Sequence, residues 1–343
     1  MPQPTTTTHE SAAARLGLVI VTVDDLTIER TDDGYRYVNG RRVGRRRIAQ
    51  LEKLVLPPAW REVRVARQHQ AHLQAIGRDA KDRVQYRYHD DWVRVRDAVK
   101  AERLLAFGRA LGDIRAAVAR DMRRPIDDRR AVIATAVRLI DRQLLRIGSE
   151  RYARHGTRGA STLLIGNAVE DDGALELDYT AKSGKAVRLS IRDAALKRRL
   201  KRLRGARRRK SQRLFSYRDG GGRRQSVTAR EINAYLATLA TARVSAKDFR
   251  TFAGSAMALE QLAAEPCPRL LKQRSKAVTR TVKAVAERLR NTPAVARSSY
   301  IHPAVTDAFM RGQLSPGLLR GPARAGLDAA ETALMRFLEG ELS

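Results

Sequence analysis

The apolar positions of this chain change their period near residue 95. Before that point, short apolar or alternating runs recur: LGLVIVTV at 16–23, YRYV at 35–38 and VQYRYH at 84–89. Turn signals such as Asp32-Asp33-Gly34 and Asn39-Gly40 separate them. Runs of this kind between turn residues predict strands. A helix is expected near 46–54, ahead of Pro57-Pro58. From 96 onward Ala, Leu and Arg recur at helical spacing. Helices are predicted near 96–121, 127–154, 192–204, 228–241, 246–264, 270–290, 303–312 and 325–341. Thr228 with Glu231, and Ser245 with Asp248, have the spacing of capping boxes that start two of them.

One β island interrupts the helices. Leu175, Leu177 and Tyr179 alternate with polar residues, as do Val187, Leu189 and Ile191. The AKSGK segment between them is a turn, so this is a β-hairpin with Lys182 and Lys185 at its tip. The fold class is therefore α+β: a small β-rich N-terminal domain, then a larger, mainly α-helical domain with the hairpin inserted. The expected boundaries are a flexible tail over 1–15, the β-rich domain over 16–95 and the helical domain over 96–343. Gly220-Gly221-Gly222 is expected as a flexible loop, and no internal repeat is apparent.

Composition narrows the class. The chain has 343 residues, 43% of them apolar, enough for two domains with real cores. LGLVIVTV could pass for a signal core, but Asp24-Asp25 ends it with no small-residue cleavage site after it, so it is expected as a buried strand. No apolar run approaches the ~18 residues of a membrane span, so no membrane association is expected. The single cysteine, Cys267, excludes a disulfide framework and any cysteine-rich zinc site, and fits a cytoplasmic location. Charge matters most. Lys and Arg number 68 against 37 acids, a net +31. Such an excess repels itself unless a polyanion is present. Nucleic acid is the commonest one, since each phosphate contact releases a condensed counterion. An anionic membrane surface and a merely solvated basic surface are the alternatives. Residues 197–213 are crowded with Lys and Arg and hold no acid; they are expected to form a solvated helix face that also follows a phosphate backbone.

Familiar catalytic motifs are missing. SGKA lacks the glycine spacing of a phosphate loop and the Ser or Thr after Lys. There is no HExxH, no GxSxG, and no acidic cluster of the kind a two-metal nuclease needs. Cutting DNA without a metal would require a protein nucleophile and fixed positive charge. Cleavage builds charge on the non-bridging phosphate oxygens, which Arg and Lys can stabilise, and the leaving alkoxide needs a proton donor. Tyrosine suits the nucleophile's part, because a phenol of pKa roughly 10 leaves readily when a sugar hydroxyl attacks back. Four segments offer such groups: LLRIGSERYAR, with Arg146 and Tyr152 on a helix; AKSGK, with Lys182; KDFRTFAG, with Arg250; and RNTPAVARSSYIHPAV, with Asn291 and Tyr300. Each residue alone has a plain structural reading; their order and spacing together do not.

These segments resemble the type IB DNA topoisomerases, especially the compact bacterial branch related to the poxvirus enzyme. LEKLVLPPAW and AIGRDAKDRVQYRYHDDW resemble the N-terminal domain of that family, so the likeness covers residues 16–314. It implies that 16–95 clamps DNA and that 96–343 is the catalytic domain. It implies that Arg146 and Arg250 hold the scissile phosphate, that Lys182 protonates the departing 5′-oxygen, and that Tyr300 forms a 3′-phosphotyrosine. Asn291 stands where many relatives carry His and can donate a hydrogen bond without carrying charge. Ala181 and Arg297 also depart from the common pattern without removing a catalytic group. DNA contacts are expected from Gln85, Tyr86, Tyr88, Tyr152 and Lys185; for Tyr86 and Tyr88, packing across strands is the alternative. His302 matches no catalytic position and is expected to be structural.

The implied enzyme is a monomer that encircles double-stranded DNA, relaxes supercoils without ATP, metal or other cofactor, and resides in the cytoplasm on the nucleoid. A tyrosine recombinase shares the chemistry, but it usually carries HxxR where this chain has Lys247-Asp248-Phe249-Arg250, and it lacks such a β-rich domain. A DNA-binding protein without catalysis would share the charge but not the ordered Arg–Lys–Arg–Asn–Tyr set.

Overall fold

The computed structural model describes residues 9–206, 209–264 and 266–342. Residues 1–8 of the expected tail, and Arg207 and Arg208 of the basic stretch, lie outside them. The chain divides into two compact units, one ending at Glu102 and the other beginning at Arg103.

The first unit is built on a five-stranded antiparallel sheet. Its strands are β1 (Ile28–Thr31), β2 (Gly34–Tyr37), β3 (Arg61–Val65), β4 (Leu73–Arg78) and β5 (Val84–Tyr88), in spatial order β2-β1-β3-β4-β5. Two helices belong to it, α1 (His9–Arg15) and α2 (Arg45–Glu52). Ile28, Val63, Val65 and Ala75 of the sheet bury against Leu51 of α2. Burying each large apolar side chain is worth about 1.5–3 kcal/mol, which suits a sheet covered on one face.

Two expectations change here. Residues 9–15 form α1 rather than loose tail, because Ala12 and Ala13 are buried with Leu18, Trp92 and Val95. LGLVIVTV is not a buried strand. Gly17 turns the chain at φ 69°, Val19 makes only an isolated bridge to Ala71, and Asp25 caps a short turn by accepting from the Thr22 amide at 2.7 Å. Val19, Ile20 and Val23 are left exposed.

Helix α3 (Trp92–Asp121) carries the boundary between the units. The second unit continues with α4 (Arg129–Gln143), the one-turn α5 (Glu150–Ala153), and a three-stranded antiparallel sheet of β6 (Ala168–Asp171), β7 (Ala174–Thr180) and β8 (Ala186–Ser190). The β7–β8 pair is the expected hairpin, with Ala181 donating to the Lys185 carbonyl at 2.7 Å across its tip. Then come α6 (Ala194–Gly205), the short hairpin β9 (Ser216–Arg218) with β10 (Arg224–Ser226), α7 (Ala229–Ala237), α8 (Ala246–Ala263), α9 (Leu271–Arg288), α10 (Pro293–Ser299), α11 (Pro303–Arg311) and α12 (Ala329–Leu342). A small β-rich unit followed by a larger helical unit with an inserted hairpin is the expected α+β class.

The helix starts follow the caps. Thr228 with Glu231 starts α7, and Ser245 with Asp248 starts α8. Two differences concern the functional segments. The helix expected over 127–154 stops at Gln143, because Leu144 turns left-handed at φ 52°. The Tyr300 segment holds an unexpected helix, α10, started by a Thr292 cap with Pro293 in its first turn, where a missing N–H costs nothing.

The glycine triplet is a built turn rather than a loose loop. The Asp219 carboxylate accepts from the Gly221 and Arg223 amides and from the Gln225 side chain. The same frame recurs in the first unit, where Asp79 accepts from the Lys81 and Arg83 amides and from Gln85. Arg-Asp-x-x-x-Arg-x-Gln thus occurs at 78–85 and 218–225, a local repeat too short to register as periodicity.

Candidate active site

The site in the second unit is assembled where three helices end. Tyr300 is the C-cap of α10 and is only 5% exposed. Its backbone is held against α8: Ser255 Oγ donates to the Tyr300 carbonyl at 3.3 Å and accepts from the His302 amide at 3.0 Å. Gly254 makes this approach possible, since a Cβ there would lie 2.7 Å from the Tyr300 oxygen. His302 is structural, as expected: its Nδ1 accepts from the Ala304 amide at 3.2 Å and caps α11.

Arg146 lies in the loop between α4 and α5, not on a helix. Its carbonyl accepts from the Ala160 amide at 2.9 Å, and a Cβ at Gly159 would sit 2.7 Å from that same oxygen. So held, its Nη1 reaches within 3.4 Å of the Tyr300 hydroxyl, and its Nη2 donates to Asn291 Oδ1. Asn291 is itself buried, with its amide bonded to the Ala286 carbonyl at 2.8 Å. Because Oδ1 faces Arg146, the side-chain amide points its Nδ2 donor the other way. That donor is buried and unpaired among the described residues.

Arg250 is 3% exposed. Its Nη1 donates to the Leu144 carbonyl and its Nη2 to the Leu289 carbonyl at 2.8 Å, while Nε is unpaired among the described residues. The guanidinium carbon lies 4.8 Å from the centroid of the Tyr300 ring. Burial pulls the Arg250 pKa down. Burial pushes the Tyr300 phenol up, but the Arg250 charge, with Arg146 and Lys247 behind it, outweighs burial and leaves it below the ordinary tyrosine value. A buried cation beside a phenol favours the phenolate, the form a tyrosine nucleophile must reach.

The hairpin tip is arranged differently. Lys182 is exposed and its Nζ lies over the ring of Tyr152, 5.4 Å from the centroid. Among the described residues no hydrogen bond joins Lys182 to Tyr300. Lys185 is the tip lysine that reaches the buried group, with Nζ 3.5 Å from the Asn291 carbonyl. Arg146, Arg250, Asn291 and Tyr300 are therefore together, Lys185 is at their margin, and Lys182 and Tyr152 form a separate pair.

In the first unit, the Gln85 Nε2 donates to Asp79 at 2.8 Å, so one of its two amide donors is engaged in the turn. Tyr88 packs on Trp92 and His72, and Tyr86 stacks on Tyr88 with centroids 6.1 Å apart. Tyr86, 51% exposed, is the open face of that stack.

Tyr179, Arg288 and Arg290 lie beside these groups without a motif that marks them. Burial raises the Tyr179 phenol, against the opposing charges of Arg290 and Arg250. Arg290 adjoins Asn291 in sequence, but no motif distinguishes it from the many surface arginines. Among the described residues no three His, Cys, Asp or Glu side chains gather as a metal site would require, and no helix is long and apolar enough to cross a membrane.

The chain matches known proteins along most of its length. Residues 89–311 match the family model described as eukaryotic DNA topoisomerase I, catalytic core, and residues 34–79 match the bacterial DNA topoisomerase IB N-terminal domain. It is 30% identical over 275 residues to DNA topoisomerase 1B of Acanthamoeba polyphaga mimivirus, covering 78% of this chain and 81% of that protein. The fold and these matches define a DNA topoisomerase, an isomerase whose partner is DNA. The chain belongs to the type IB DNA topoisomerase family, with an N-terminal domain of the bacterial kind.

Proposed function

We propose that the protein relaxes supercoiled duplex DNA by transient cleavage of one strand, with Tyr300 as the nucleophile and neither ATP nor metal taking part. The observation that supports this best is the Tyr300 hydroxyl 3.4 Å from Arg146, with the Arg250 guanidinium packed on its ring. Tyr300 gives up its phenolic proton to water, its Oη attacks the phosphorus and the 5′-oxygen leaves, so one phosphodiester bond is exchanged for another and no energy source is consumed. Arg146 and Arg250 stabilise the charge on the non-bridging oxygens, and the free Nδ2 of Asn291 donates to one of them. Lys182, brought in from its place on Tyr152 by the bound strand, protonates the leaving 5′-oxygen. The cut duplex then turns about the intact strand under its own torsion. The 5′-hydroxyl reverses the reaction through the same transition state.

The protein acts as a monomer whose two units grip the duplex. Tyr86 and Tyr88 on the first unit, and Tyr152 and Lys185 on the second, contact the DNA; Gln85 joins them once released from Asp79. The basic surface carries the sequence-independent part of the affinity, and the protein resides in the cytoplasm on the nucleoid. The test is incubation with negatively supercoiled plasmid in EDTA without ATP, beside Tyr300→Phe. Relaxation by the wild type alone is expected. Relaxation by both would remove Tyr300 from the mechanism, and relaxation only with metal or ATP would overturn the energetic account.

A further inference from the structure

The end of α4, from which the Arg146 loop departs, is capped by arginines. A helix leaves its last carbonyls unpaired and carries roughly half a negative charge there. Here three consecutive carbonyls are taken by three guanidiniums from α8 and the end of α9. Arg288 Nη2 donates to Arg142 O at 3.4 Å, Arg290 Nη2 to Gln143 O, and Arg250 Nη1 to Leu144 O. Arg250 also holds Leu289 O, immediately before Arg290. The ends of α4 and α9 are thus tied together, and the two residues that meet across the tie are Arg146 and Asn291.

Arg290 occupies the central place. It is left-handed, with φ 56°, a conformation an L residue adopts at a cost. Its side chain is half-buried, and burial lowers its pKa to about 10. Its charge also acts on Tyr179, three residues before Lys182 on the hairpin stem. A solvated surface arginine needs none of these features. Arg288, by comparison, has an exposed side chain and the longest of the three bonds.

We propose that Arg290 is a positioning residue for strand cleavage: by holding Gln143 O it fixes the exit of α4, and so sets Arg146 and Asn291 against Tyr300 without touching DNA. This rests on the reading of Tyr300 as the nucleophile. A buried clamp displaced by about 1 Å costs about a hundredfold in rate, so the effect belongs on the chemical step. Because cleavage and religation share one transition state, both slow together and the trapped covalent fraction stays as it was.

The test uses the full chain in excess over supercoiled plasmid, well below the unfolding temperature. R290G removes the side chain at a backbone angle that glycine adopts freely; R290K keeps the charge but reaches one acceptor as a point donor. The expected result is relaxation slowed about 10- to 100-fold in R290G and less in R290K. DNA affinity at fixed salt and the detergent-trapped fraction should be unchanged. Relaxation by R290G within about twofold of wild type would overturn the proposal, as would an affinity that falls by the same factor as the rate, which would make Arg290 a DNA contact. Should R290G not fold, R290K carries the same comparison. Plasmid relaxation by Tyr300→Phe would instead overturn the nucleophile itself, whatever Arg290 variants do.

Discussion

The buried cluster around Tyr300 and the hairpin tip around Lys182 share one reaction in the proposed mechanism but are built on opposite principles. Arg146, Arg250, Asn291 and Tyr300 are held by helix ends, backbone carbonyls and one another. Lys182 is exposed on a turn and rests on an aromatic ring. The difference follows the chemistry. Groups that stabilise transition-state charge gain from being fixed in a dry site, where they need not reorganise. A proton donor that must meet an atom of the incoming strand gains from reach instead.

On that contrast Arg250→Ala has the largest effect, because Arg250 serves chemistry and structure together. Removing one such donor costs about 10²–10³ in rate. The Leu144 and Leu289 carbonyls would also lose their partner, at roughly 1–3 kcal/mol each. Both a lower unfolding temperature and a slower single-turnover relaxation should appear; an unchanged unfolding temperature would show that Arg250 does not hold the helix ends. Lys182→Ala should slow cleavage about 10²-fold while leaving thermal unfolding and DNA affinity alone. Any stability loss comparable with Arg250→Ala would erase the distinction between the two regions. Asn291→Ala comes next, at about tenfold in relaxation rate for one neutral donor, measured beside wild type at equal DNA saturation.

The smallest effect is on pH. Tyr300 titrates below the ordinary tyrosine value in the folded protein because the charges of Arg250, Arg146 and Lys247 outweigh burial. A depressed folded pKa adds stability that is complete above the unfolded value of about 10 and is lost as pH falls through the folded one. Below the folded value the phenol is protonated in both states and contributes nothing. Alkaline absorbance titration, read as the difference between wild type and Tyr300→Phe, should therefore give a midpoint below that of free tyrosine. Arg250→Ala should move it upward, and a midpoint indifferent to Arg250 would show that the cation on the ring does not act on the phenol.

Much of this was legible in the sequence, and the parts that were not have physical reasons. The change of period near residue 95 gave the two classes of structure, and the Ser245–Asp248 box located the helix that carries Arg250. The break after Gln143 was invisible because Leu144, an ordinary helix former, turns left-handed. What holds it is a set of long-range bonds from Arg250 and Arg290, which no local propensity records. The helix α10 escaped notice because it is two turns long, although Thr292-Pro293 is the kind of start signal that could have revealed it. That Gln85 also serves the turn at Asp79 is not legible from its neighbours Tyr86 and Tyr88, because the bond forms only once the turn closes; the matching turn at Asp219 makes the same use of Gln225.

The central claim is that Tyr300 becomes covalently joined to a cut strand. The most direct measurement is to stop a reaction of wild-type protein and plasmid with detergent, digest both polymers and identify the modified peptide by mass spectrometry. The expected result is a nucleotide attached through its 3′-phosphate to Tyr300, within the segment NTPAVARSSYIHPAV. A nucleotide on any other residue, or one attached through a 5′-phosphate, would contradict it.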